Sequence, residues 1–154
     1  MKIFKIILIF LFFFQVSCGY KIVNKLDNFK FKIINYKLTG EKKINNILEK
    51  NFKRFKNNDA ISTSDFIIHA NNKIDRSITS KNTSGEALSY NLKISINIKI
   101  YEDGNQLNEI TFNESTSYDN LDSKFELKQY ENILIQDLTD QMVIKINNHL
   151  NSLK

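Results

Sequence analysis

The chain has 154 residues, 42% of them hydrophobic, with one cysteine, no proline and no tryptophan. That length supports one domain with a sizeable core, and a single cysteine excludes both an intramolecular disulfide and a metal site built on cysteines. The formal net charge of +5 falls to +3 once Lys2 and Lys5, the charges of the N-terminal leader, are set aside. So mild a balance fits contact with an anionic lipid or sugar phosphate, and is equally met by solvated lysines.

Residues 1–17 read as an export signal. Met1–Lys5 is a short positive segment, and Ile6–Phe14 is an unbroken apolar run. The run is too short to cross a hydrocarbon layer of about 30 Å, but has the length of a signal-peptide core. Ser17 precedes Cys18, the only cysteine, where a lipobox would place the residue that receives a diacylglyceryl group; Gln15 departs from the usual apolar residue of that motif. Cys18 is therefore the expected lipidation site. Residues 18–28 are expected to be a flexible tether, and residues 29–154 a single domain. Gly19, in place of aspartate, favours the outer membrane by analogy with bacterial sorting rules.

Within the domain, Phe29–Tyr36 is the expected first strand. Ile44, Ile47, Leu48, Phe52 and Phe55 recur at three- and four-residue spacing and predict an amphipathic helix of about 15 residues, capped near Thr39. Phe66, Ile68, Ala70, Ile74 and Ile78 fall on even positions and predict a second strand, ending at a polar loop over Ser80–Gly85. Leu88, Tyr90, Leu92, Ile94, Ile96, Ile98 and Ile100 alternate with polar residues, the period of a strand with one buried face. Asp103-Gly104 supplies a tight hairpin turn, after which Ile110, Phe112 and Tyr118 continue the alternation in a fourth strand. Ser123 and Glu126 form a capping-box pattern before a long helix from Phe125 to about Leu153, with an i, i+4 stripe of Tyr130, Leu134, Leu138, Met142, Ile146 and Leu150. The expected fold is α+β, in the order β-α-β-β-β-α: a two-layer sandwich in which two helices cover one face of a four-stranded, mainly antiparallel sheet. In that frame Ile96→Asp should prevent folding, whereas Asn97→Asp should be nearly silent.

Little in the sequence points to catalysis. His69, on the polar phase of a strand, and His149, near the end of the last helix, stand alone and read as surface residues; the chain has four glycines and no glycine-rich phosphate loop. Asp119, Asp122, Glu126 and Glu131 cluster at a helix start, where the helix dipole is reason enough for acids; Asp137 and Asp140 fall on the polar side of that helix. No enzyme activity, cofactor or metal is expected. Basic and aromatic residues interleave at Phe29–Lys32 and Phe52–Phe55, but behind an export signal nucleic acid is not an expected partner.

Taken in order, several segments resemble the LptE family of lipopolysaccharide-assembly lipoproteins. These are Cys18-Gly19-Tyr20, then Ser84-Gly85-Glu86-Ala87-Leu88-Ser89-Tyr90-Asn91-Leu92, then Asp103-Gly104, Tyr118-Asp119, and Leu127-Lys128 with Glu131. The resemblance implies a lipid-anchored subunit seated in the lumen of an LptD-type outer-membrane β-barrel. There it would act as plug and assembly partner and aid insertion of lipopolysaccharide into the outer leaflet, without a cofactor. It also implies basic ligand-contacting residues before the third strand and near the start of the last helix. Lys128 matches the second position; the first falls near Thr83, for which Lys81 is the closest cation. The alternative is a free, periplasm-facing lipoprotein that binds lipids or glycans in a pocket between sheet and helices, without a barrel partner.

Overall fold

A computed structural model describes residues 29–56 and 64–153. Cys18, the leader and the tether lie outside the described residues. The elements are β1 (Phe31–Gly40), α1 (Lys42–Lys56), β2 (Ser64–Lys81), β3 (Ala87–Glu102), β4 (Asn105–Asp119) and α2 (Lys124–Ser152). They form one sheet in the order β1-β2-β3-β4. β1 pairs with β2 in parallel, and the other two pairings are antiparallel. A parallel neighbour requires a crossover, and α1 lies in it. The expected order β-α-β-β-β-α and the α+β sandwich are both present.

Alternation in β3 sorts its residues as the sequence predicts. Leu92, Ile94, Ile96, Ile98 and Ile100 are buried beneath the helices. On the opposite face Asn97 donates to Glu109 Oε1 (3.2 Å) and Thr111 Oγ1 (3.0 Å), and Ser95 donates to Asn113 Oδ1 (2.7 Å). The Asp103-Gly104 turn has φ of 50° and 81°, the positive pair that lets a two-residue turn follow the strand twist.

Phe31, Ile33, Phe66 and Ile68 from β1 and β2 pack with Ile44, Leu48, Phe52 and Phe55 of α1. The Phe31 and Phe55 rings stack at 4.8 Å, with Phe29 edge-on to Phe55 at 5.4 Å. Met142, Ile146 and Leu150 close the core from α2.

Three local expectations are corrected. Thr39 is not the cap of α1. It lies inside β1, its hydroxyl bonded to Ala70 O and Asn71 Oδ1. The start of α1 is secured instead by Asn72 of β2, whose Oδ1 accepts from Glu41 N (2.9 Å) while its Nδ2 donates to Thr39 O and Asn45 Oδ1. Gly40 between them has φ of 104°, and a Cβ there would sit 2.0 Å from Asn72 O. The chain can leave β1 and enter α1 only through glycine.

Second, the i, i+4 stripe of α2 is buried from Leu138 to Leu150 and partly at Leu134, but leaves the core at Tyr130. Each such step overshoots a turn by about 40°, so from Leu150 back to Tyr130 the series winds roughly 200° around the helix. The buried face runs through Leu127, Glu131, Ile135, Leu138, Met142, Ile146 and Leu150, and Tyr130 is exposed. Ser123 does cap α2, its hydroxyl accepting from Glu126 N at 3.3 Å.

Third, the buried phase of the long hairpin gives out before its tip. Ile78 is 49% and Leu88 51% exposed. β1 ends at Gly40 opposite Asn72, so among the described residues β2 continues from Lys73 to Lys81 with no strand outside it, and α1 lies on the β1 half.

Candidate functional site

At this uncovered end Ile78, Tyr90 and Tyr118 form one cross-strand row on the helix side of the sheet. The Tyr90 and Tyr118 rings stack at 5.6 Å, and Tyr130 meets Tyr118 edge-on at 6.1 Å. Arg76 lies on the same strand face as Ile78. Its guanidinium sits 3.8 Å over the Tyr90 ring, a cation–π contact. Its Nε reaches Glu131 Oε1 at 3.1 Å. Tyr118 donates its hydroxyl to the same oxygen at 2.6 Å, and Lys128 stands 4.0 Å from Glu131 Oε2.

Glu131 is only 7% exposed, so its charge must be met by close partners. Two cations and a phenol converge on it, leaving a local excess of positive charge. Burial, then the bond to Glu131, pushes the Tyr118 phenol up to about 12. The hydroxyl is therefore a proton donor throughout the physiological range, and the clamp from α2 to the sheet is permanent there.

Lys81 ends β2 opposite Ala87, with no ion-pair partner among the described residues. The hairpin tip is well made: Asn82 Oδ1 accepts from Ser84 N and Glu86 N, and Thr79, Ser80 and Ser89 join hydroxyls across the strands. Asn120 ties the entry to α2 onto this tip, donating its N to Leu88 O and its Nδ2 to Ala87 O. The two lysines singled out in the sequence, Lys81 and Lys128, thus lie at one end of the molecule. Lys128 belongs to the Glu131 cluster, and Lys81 stands apart on the tip. Around them Ile78, Leu88 and Phe125 (71% exposed) offer apolar surface to solvent.

Arg76, Tyr90, Tyr118 and Glu131 did not emerge as a site from the sequence. A signal for it existed: Arg76 sits in the apolar phase of β2, and Glu131 in the apolar face of α2 between Leu127 and Ile135. Opposite charges on two inward faces predict a pair. The remaining candidates stay apart. His69 is exposed against Tyr101 at 4.9 Å. His149, expected on the surface, is half-buried edge-on to Phe112. Among the described residues no group of three or more His, Cys, Asp or Glu is placed to hold a metal.

Over residues 30–150 the sequence matches the LptE family, described as lipopolysaccharide-assembly. The chain belongs to that family. Comparison with curated proteins gives no significant match. Three solved structures have the same fold. The rare lipoprotein B of Shewanella oneidensis superposes with a TM-score of 0.59 at 13% identity, over 77% of this chain and 94% of its own. Lipoprotein B of Nitrosomonas europaea gives 0.58 at 19%, over 87% and 91%. A minor lipoprotein of Acinetobacter baumannii gives 0.54 at 16%, over 77% and 90%. At such identities they establish the fold. LptE membership makes this an outer-membrane lipopolysaccharide-assembly lipoprotein. Its uncovered end places the cations Arg76 and Lys128 beside exposed apolar side chains.

Proposed function

We propose that this LptE protein is anchored by lipid on Cys18 to the periplasmic side of the outer membrane. It sits in the lumen of an LptD-type β-barrel, as plug and assembly partner, and assists insertion of lipopolysaccharide into the outer leaflet. The role is binding and structural, with no bond made or broken. The observation that carries it is the open end of the sheet. There Arg76, Lys128 and Lys81 stand near Ile78, Leu88 and Phe125, so phosphates and acyl chains could be met on one surface. Ile33, Leu48, Phe66 and Ile96 are fully buried between the layers, whereas the cations and the exposed apolar side chains are gathered at this end.

Chain geometry supports the orientation. From Cys18 to Phe31 is thirteen residues, a reach of at most about 45 Å. β1 begins opposite Ser64, while Lys81 lies at the far end of the eighteen-residue β2, about 55 Å away. With the molecule upright, its open end stands far from the anchoring leaflet.

The test is extraction of native membranes in mild detergent and capture of the C-terminally tagged chain. The proposal expects an LptD-type barrel at near one-to-one stoichiometry. Recovery of the lipoprotein alone, with the barrel present but unbound, would leave the free lipid- or glycan-binding lipoprotein as the better reading.

A further inference from the structure

The helix layer presents two stripes of opposite charge on the side away from the sheet. On α2, Ile133, Asp137, Asp140 and Ile144 fall within an arc of about 60°. The two isoleucines are each 56% exposed, and the two exposed aspartates lie between them. On α1, Lys42, Asn46, Lys50 and Lys53 fall within an arc of about 80°, and all four are exposed. Among the described residues Lys42, Lys50, Asp137 and Asp140 take part in no ion pair, and Lys53 is held only by Glu49 of its own helix. Partial burial first, and then Asp137, raise Asp140 above the usual carboxylate range, and only Lys50 opposes this. Like charges at this spacing destabilise the helix that bears them. Exposed isoleucines flanking them add nothing to the chain's own core.

The two stripes are matched in height. Lys43 is bonded to Asn132, and Lys50 acts on Asp140, so seven positions along α1 run beside eight along α2. Both helices therefore point the same way. A two-fold axis lying along that direction, over the groove between them, lays α1 of each copy on α2 of the other at the same height. Lys50 and Lys53 then face Asp137 and Asp140 of the second copy, and Ile133 and Ile144 meet lysine stems. Each stripe thus finds its complement, the condition for a closed dimer. An axis across the helices would set aspartates against aspartates instead. Because the axis follows the helices, both copies begin β1 at the same end, as two chains tethered to one membrane surface require.

We infer that the outer face of the helix layer is an interface between two copies of this chain, the Ile133–Asp137–Asp140–Ile144 stripe of each seated on the Lys42–Lys50–Lys53 stripe of the other. Charge complementarity selects a second copy because both of the surfaces that meet belong to this sequence. The shared face is only as long as α1, about 22 Å, so the association is weak and reversible. The dimer is a state of the chain alone and does not depend on a barrel.

The test is sedimentation equilibrium of the chain from residue 18 onward, with Cys18→Ser so that neither lipid nor a disulfide can join two copies. The parent should show a monomer–dimer equilibrium that weakens as salt is raised. Asp137→Lys with Asp140→Lys should weaken it at least about tenfold, as should Lys50→Glu with Lys53→Glu, because each sets like charges across the interface. Mixed one to one, these two variants should regain a dimer, since every facing pair is again of opposite charge. Lys81→Gln with Lys128→Gln, away from the stripes, should leave the equilibrium unchanged. Circular dichroism checks that each variant melts cooperatively. Where a reversed variant does not, Asp137→Asn with Asp140→Asn takes its place, and should weaken the dimer and flatten its salt dependence. A parent that stays monomeric up to about 1 mM overturns the inference. So does a dimer that none of the stripe variants weakens, which would place the contact on another face, or two folded reversed variants that stay monomeric when mixed.

Discussion

The two halves of the sheet are built by different means. The half that β1 completes and α1 covers is held mainly by packing: Phe31, Ile33, Phe66 and Ile68 meet Leu48, Phe52 and Phe55, with Asn51 and Asn72 buried beside them. The hairpin half has three strands and only the first turns of α2 above it. It is held by the Arg76–Glu131–Tyr118 clamp and a short aromatic stack. Apolar packing fixes shape but leaves nothing for a ligand to read. A charged clamp secures the helix while leaving cations and apolar side chains at the surface. The lesson is a division of labour along one continuous strand: β2 is scaffold as far as Asn72 and candidate binding surface beyond it.

The largest effect expected from breaking the packed half is that of Ile96→Asp. An unpaired carboxylate in that site costs several kcal/mol against a typical stability of about 5–15 kcal/mol, so circular dichroism should show no cooperative melt. Its neighbour Asn97→Asp, silent by strand pattern alone, is predicted to cost about 1 kcal/mol, because Asn97 donates to Glu109 and Thr111 and an aspartate would instead face Glu109.

Gly40→Ala tests the boundary between the halves. Its Cβ would meet the Asn72 backbone, and its positive φ is unfavourable for alanine. A loss of about 3 kcal/mol in urea unfolding is expected. Within the hairpin half, Glu131→Ala orphans Tyr118 and Arg76 together. The cost should be about 2 kcal/mol, less than for a fully buried pair because Arg76 keeps access to water.

Tyr118→Phe is the mildest change, about 1 kcal/mol at neutral pH. It carries a pH signature. The phenol is held neutral in the fold up to about 12, while in the unfolded chain it ionises near 10. The stability it contributes is therefore complete below pH 10 and lost as pH rises toward 12. The advantage of the parent over Tyr118→Phe should shrink across that window in thermal melts. A constant difference would mean that Tyr118 is not clamped.

Much of the scaffold was legible in the sequence because its signals are local and periodic. The alternation in β3, the Asp103-Gly104 turn, the Ser123 cap and the element order need only neighbouring residues. What was not legible depends on distant partners. Thr39 looked like a cap because nothing nearby announces that Asn72, on another strand, takes that role. The α2 stripe failed at its first residue, Tyr130, because a regular four-residue spacing does not follow a helix of 3.6 residues per turn. The end of burial at Ile78 and Leu88 depends on where β1 stops, which no residue in the hairpin records. Of the candidate site, the two lysines were found and the clamp that organises one of them was not. Arg76 and Glu131 lie far apart in sequence, and only their placement in the inward phases of β2 and α2 pointed to a pair.

The central claim, that binding belongs to the open half and scaffolding to the covered half, is tested most directly by lipopolysaccharide binding to the purified mature chain at fixed, moderate salt. Parent, Lys128→Ala with Lys81→Ala, and Lys53→Gln with Arg54→Gln should be compared. Each double variant removes two exposed cations, one pair from each half. The predicted result is weaker binding for the Lys128/Lys81 variant and unchanged binding for the α1 variant. Equal losses in the two variants, or a loss confined to the α1 variant, would contradict the account.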